Sequence, residues 1–113
     1  MIIAKFYRKP SKGSIHMTIE GHAESAPMGE DLICASATML AYTVAQTVQF
    51  MSEQGKLKRK PKIDIKDGKA VVIATPTDEN YAEALHTFFV GQCGAHVLAH
   101  NYPQHVKLEH LTM

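Results

Sequence analysis

The chain has 113 residues, 45% of them hydrophobic and 20% charged, with a formal net charge of +1. That balance excludes a disordered chain and predicts one domain, 1–113, with a core large enough to need no metal or disulfide staple. Near-neutral charge gives no bulk attraction to nucleic acid or lipid, no run of ~18 apolar residues is present to span a membrane, and two cysteines make no secreted disulfide framework.

The opening "MIIAKFYRKP" lacks the apolar core and small-residue cleavage site of a signal peptide, so a cytoplasmic location with free thiols is expected. "IIAKFYR" (2–8) is rich in β-branched and aromatic residues and stops at Pro10. After "SKG", Ile15, Met17 and Ile19 alternate with His16, Thr18 and Glu20. Two such runs around a glycine-containing turn predict a β-hairpin. From Leu32 to about Met51 the sequence is apolar on nearly every side, which predicts a helix of roughly 30 Å buried in the middle of the domain and stopped by Gly55. "KIDIKDGKAVVIAT" (62–75) predicts a second hairpin turning at Asp67-Gly68. Thr77 is then expected to cap a second helix, with Asp78 and Glu79 in its first turn. Tyr81, Leu85, Phe88 and Phe89 recur at helical spacing, while Gly91 and Gly94 weaken that helix or let a neighbour pack close. Tyr102-Pro103 ends it, and "HVKLEH" predicts a last strand. The order ββαββαβ implies an α+β fold, a mostly antiparallel sheet packed with two helices.

The stretch "GHAESAPMGEDLICASATML" (21–40) carries the chemistry. Cys34 is expected in the first turn of the apolar helix, with Asp31 as cap, where unpaired N–H groups and the helix dipole favour a thiolate. The same N–H groups are suited to hold an oxyanion. His22 follows a strand end, and a loop containing Pro27 and Gly29 is long enough to return its imidazole to the sulfur. The histidine would then take the thiol proton and return it to a leaving amine. The strand before His22 is a candidate to pair with an extended peptide if it lies at a sheet edge. On spacing alone the blander case is the more frequent one: a buried small hydrophobe and a turn histidine.

"GHA", then "GEDLIC-A", then a long apolar helix and a late "YPQHVKL" together resemble the ribosomal-processing cysteine protease family Prp (YsxB-like), over nearly the whole chain. The resemblance implies a cytoplasmic cysteine endopeptidase. Its substrate would be an N-terminally extended large-subunit ribosomal protein near the peptidyl-transferase centre (bL27-type), cut after an aromatic residue during ribosome assembly. Carried over by position, Cys34 is the nucleophile and His22 the general base. Asp31 matches an acidic motif position and would orient the histidine or contact substrate. Thr38 stands where the family often has serine, keeping a hydroxyl one helical turn after Cys34. Gly21 and Gly29 would be hinges of the loop between. Family members form homodimers, so a homodimer is expected here. The loop departs from the family in reading "ESAPMGE", which bears on substrate gating more than on the chemistry. No cofactor is required.

Two other features compete. Cys93, His96 and His100 form C-x2-H-x3-H, with His86 or His105 as a fourth ligand, yet the flanking glycines and the lack of a second cysteine-rich half argue against a metal. "GKLKRKPK" (55–62) gathers Lys56, Lys58, Arg59, Lys60 and Lys62 without interleaved aromatics, so a solvated loop is expected and direct RNA contact is not. The alternative reading of another class is a non-enzymatic ribosome-associated binding module that uses this 56–62 run, with Cys34 inert.

Overall fold

Among the described residues the sheet has five strands: β1 (Ile2–Lys9), β2 (Ser14–Glu20), β3 (Lys62–Lys66), β4 (Lys69–Ala74) and β5 (Val106–Glu109). Two helices, α1 (Pro27–Glu53) and α2 (Tyr81–Asn101), complete the ββαββαβ order. The computed structural model describes residues 1–22 and 27–109, with 27–31 described by backbone alone. The strands lie in the order β3-β4-β2-β1-β5. All neighbours are antiparallel except β1 and β5, which run parallel, so the fold is α+β as expected.

Period-2 alternation decides which face of the sheet is covered. Ile15, Met17 and Ile19 of β2, Ala4 and Phe6 of β1, and Val72 of β4 are buried under the helices. The helices close this face with Ala41, Val44 and Val48 from α1 and Ala84, Phe88 and Ala95 from α2. The other sheet face carries Lys5, Tyr7, Lys107 and Glu109 toward solvent. Both helices therefore share one layer, and β2 is an interior strand.

Three expectations change. Helix α1 begins at Pro27, five residues ahead of Leu32. Proline is well suited to a first helical turn, because its missing N–H would be unpaired there anyway. The helix is not buried all round: Leu32, Met39 and Phe50 are 61%, 66% and 55% exposed. In a two-layer fold the sheet covers one side of the helix, and among the described residues nothing covers the other. Thr77 caps a short 3-10 turn, Asp78–Asn80, ahead of α2, and its hydroxyl accepts from the Asn80 amide at 2.7 Å instead of capping α2.

The end of α1 follows the expected glycine stop. Gly55 has φ +74, its N–H bonds the Ser52 carbonyl at 3.1 Å, and Lys56 N–H bonds that of Met51 at 3.0 Å. That paired 5→2 and 6→1 pattern is the Schellman motif. Gly91 and Gly94 lie inside an unbroken α2 and serve packing. A Cβ at Gly91 would stand 2.6 Å from Val44 Cγ2, and one at Gly94 the same distance from Leu40 Cδ1.

Candidate active site

The chain leaves β2 through Gly21, whose φ of +103 is a left-handed-side conformation and whose missing Cβ makes room for the Met1 carbonyl. Its N–H donates to the Gly68 carbonyl at 2.9 Å. The Met1 nitrogen donates to the His22 carbonyl. His22 is thereby fixed between the start of β1 and the β3–β4 turn. Its imidazole rests on Gly68, where a Cβ would come within 2.7 Å of Nε2. Gly68 also has φ +77, so glycine is required there twice over, by backbone and by contact.

Cys34 reaches the same place from α1. It is half-buried and packs on the core, and with Ala37, Thr38 and Ala41 it forms one wall of a cleft of about 60 Å³. Gly21, His22 and the β3–β4 turn form the facing wall, over Ile2 and Ile19. A site of this size holds water, which needs only ~10–15 Å³. The expected catalytic pair, twelve residues apart in sequence, is thus brought together in one cleft. Among the described residues no hydrogen bond joins the two side chains, an arrangement common in unliganded catalytic sites.

The expected helix-start activation does not fit this placement. Cys34 is the eighth residue of α1, whereas unpaired N–H groups belong to the first turn and the dipole's effect fades there. Asp31 lies inside the helix, so it is not the residue before it; its side chain is outside the described residues, as is any role for it. Gly29, expected as a loop hinge, falls in the first turn of α1. Gly21 is at the joint between strand and loop, held by the bonds just described. Ser36, Thr43 and Thr47 each donate to the carbonyl four residues earlier. Among the described hydrogen bonds Thr38 makes no such bond, which leaves its hydroxyl for the cleft it lines.

One site feature escaped the sequence reading, and one expectation is overturned. Gly68 reads there only as a turn residue, and nothing local signals that it seats the histidine. The strand before His22 was a candidate for peptide pairing, but β2 is flanked by β1 and β4 and has no free edge.

The remaining candidates lie elsewhere. Cys93 is exposed, and the His96 and His100 rings lie 6.3 Å apart in a stacked arrangement. Among the described residues no three His, Cys, Asp or Glu side chains group as metal ligands. In the basic run, Lys56 pairs with Glu83 at 2.9 Å and Lys58 with Asp78 at 3.1 Å, so part of its charge is used within the fold. No helix among the described residues is long and apolar enough to cross a membrane. His16 is 5% exposed on the sheet face away from the helices, with Nε2 2.8 Å from Ser14 Oγ and its ring stacked on Tyr7 at 4.7 Å. Burial first, then Lys9 and Lys12, push its pKa below 6.5.

Comparison with known proteins places the chain. The family model described as "Cysteine protease Prp" matches residues 1–107. The crystal structure of the essential ribosomal processing protease Prp from S. aureus with a covalently linked product peptide is similar at TM-score 0.69 and 20% identity, covering 99% of this chain and 100% of that one. The same protease in complex with a substrate peptide gives 0.65 at 18% identity, covering 99% and 100%. SMU.848 from Streptococcus mutans gives 0.67 at 26% identity, covering 100% and 96%. No curated protein matches. With the family's pattern running through nearly its whole length, over a fold those structures share, the chain belongs to the Prp family and is a cysteine protease.

Proposed function

We propose that this protease is a cytoplasmic processing endopeptidase that removes the N-terminal extension of a bL27-type large-subunit ribosomal protein during ribosome assembly, cutting after an aromatic residue. Cys34 is the nucleophile and His22 the general base. The observation that carries the reading is the cleft these two residues share. Ile2, Ile19, Ile65 and Ala70 give the cleft an apolar floor and side.

His22 takes the Cys34 thiol proton, and the sulfur attacks the peptide carbonyl carbon. The tetrahedral intermediate collapses, the C–N bond breaks, and His22 returns the proton to the departing amine. Water deprotonated by His22 then attacks the thioester carbon; the C–S bond breaks, the N-terminal product leaves with a new carboxyl group, and the proton held by His22 returns to the Cys34 sulfur. The Thr38 hydroxyl lines the cleft one turn beyond the sulfur and is suited to donate to the oxyanion or to contact substrate. Asp31 keeps the orienting or substrate-contacting role that the family resemblance implies.

The experiment is cleavage of the extended ribosomal protein encoded in the same genome, followed by mass spectrometry. A single cut after an aromatic residue is expected, with an acid-trapped acyl adduct on Cys34. Cys34→Ala should abolish cleavage, and His22→Ala should slow it by about 10²–10⁴-fold. Undiminished cleavage by Cys34→Ala would refute the assignment. A homodimer is part of the same reading. Leu32, Met39 and Phe50 repeat at intervals near whole helical turns on the uncovered side of α1, an apolar stripe that a second copy would bury. Light scattering should give a dimer mass for the wild type and a monomer for Met39→Glu.

A further inference from the structure

We infer that the substrate peptide binds as an added strand on the outer edge of β3, its alternate side chains entering a groove between β3 and α1 that continues from the catalytic cleft. The inference rests on the proposed substrate and catalytic pair and extends that reading to how the peptide is held.

An extended peptide must hydrogen-bond its backbone, and a sheet edge is the readiest partner. Among the described residues only β3 and β5 are edge strands. Strand β3 leads directly into the turn that seats His22, whereas β5 lies at the opposite side of the sheet. Among the described residues nothing pairs with the outer edge of β3. Its register fixes which groups are free. Lys66 pairs with Lys69 across a two-residue turn, Asp64 with Val71 and Lys62 with Ile73. In an antiparallel hairpin so closed, Lys62, Asp64 and Lys66 turn their N–H and C=O groups to β4. Ile63 and Ile65 therefore turn theirs outward.

Below this edge lies a groove of about 470 Å³, lined by Tyr42, Ala45, Gln46 and Gln49 of α1 and by Ile63 and Ile65 of β3. Ile65 lines the catalytic cleft as well. On α1 the two are also continuous: Cys34, Thr38 and Ala41 border the cleft, and Tyr42, Ala45 and Gln49 carry the same wall onward at three- and four-residue steps. From residue 34 to 49 the helix advances about 22 Å. At ~3.3 Å per residue, that is room for roughly six or seven extended residues. Lys60 and Pro61 complete the lining, so the groove takes uncharged side chains along its apolar and amide walls and an acidic or polar one beside Lys60.

The test uses the peptide spanning the cleavage junction of the extended ribosomal protein and three proteins: wild type, Ile63→Pro and Gln46→Trp. Proline at an edge position with an outward N–H is tolerated by the sheet and removes one donor. Tryptophan at the exposed position 46 fills the groove without entering the cleft. Ile63→Pro should raise KM about three- to tenfold and Gln46→Trp at least as much, with kcat, the melting temperature and the alkylation rate of Cys34 little changed. Truncating the peptide should weaken binding from one end only. If both variants cleave with unchanged KM while keeping their melting temperature, the groove assignment is overturned. Failure of the wild type to cut would instead sink the proposed substrate. The groove would then be judged by fluorescence anisotropy of the same peptide on Cys34→Ala protein, where no binding, or binding indifferent to Ile63→Pro and Gln46→Trp, overturns it.

Discussion

Replacing Gly68 by alanine separates the positioning of His22 from the stability of the fold. The added methyl would lie 2.7 Å from His22 Nε2, against an ordinary contact of about 3.5 Å, so the ring must retreat by roughly 0.8 Å. Misplacing a catalytic group by ~1 Å can cost about 10²-fold in rate. Alanine also has to adopt φ +77, which costs about 1–2 kcal/mol. For a chain of this size that corresponds to a fall in melting temperature of about 4–10 °C. Gly55→Ala is the matched control. It has φ +74 with nothing within 4 Å of the new methyl, and it lies at the far end of α1. Both variants should lose similar stability by calorimetry. Only Gly68→Ala should lose activity, by one to two orders of magnitude in kcat for peptide cleavage. Full activity in Gly68→Ala at a temperature where both variants are folded would refute the claim that His22 acts from its seat on this glycine.

Other outcomes follow from packing and from His16. Gly91→Ala should destabilise by about 1–3 kcal/mol in urea titration, because Val44 and Phe6 meet the new methyl inside the core. Gly94→Ala should be close to neutral, since it meets only the end of the flexible, half-buried Leu40 side chain and gains helix propensity. Phe88→Ala, at a fully buried site, should cost about 3–5 kcal/mol by the same measurement. His16 has its folded pKa below the unfolded 6.5, so between those values the unfolded state binds more protons. Its contribution is complete above about pH 6.5 and is lost as pH falls through the folded value; His16→Phe should flatten urea stability over that window relative to wild type.

The sheet was readable wherever one face is buried, because alternation then has a single solution: Ile15, Met17 and Ile19 point to the core as their period demands. The hairpins were readable for the same reason, with Gly13 and Gly68 at their turns. The sheet order and the parallel pairing of β5 with β1 were not, since they depend on how α2 returns the chain and no local pattern encodes that. The start of α1 was misread because Pro27 and Gly29 look like helix breakers, while a proline in a first turn is compatible with a helix. Thr77 carries the same cap chemistry whether a 3-10 turn or an α-helix follows. At the site, His22 and Cys34 stood out through their motifs. Gly68 did not, because its role exists only once the second hairpin is docked beside β2.

The position of Cys34 in α1 also narrows how it is activated. A cysteine in the first helical turn would draw on unpaired N–H groups and the dipole whether or not a histidine were near. Cys34, two turns further on, has neither source, and in the proposed mechanism its proton acceptor is His22 on the same cleft. Lys66 and Lys69 border the same cleft, but each is paired, with Asp64 at 3.5 Å and Glu20 at 3.8 Å. The reactivity of Cys34 should therefore depend on His22 almost entirely. Cys93 supplies an internal reference, since it is exposed while Cys34 is half-buried, so access alone favours Cys93. Under iodoacetamide at neutral pH, with the two sites read separately by mass spectrometry, Cys34 should outpace Cys93 in the wild type. In His22→Ala the order should reverse, because only access is then left to decide. A Cys34 that still leads without its histidine would point to a second cation at the cleft, and charge-removing variants of Lys66 and Lys69 would identify it.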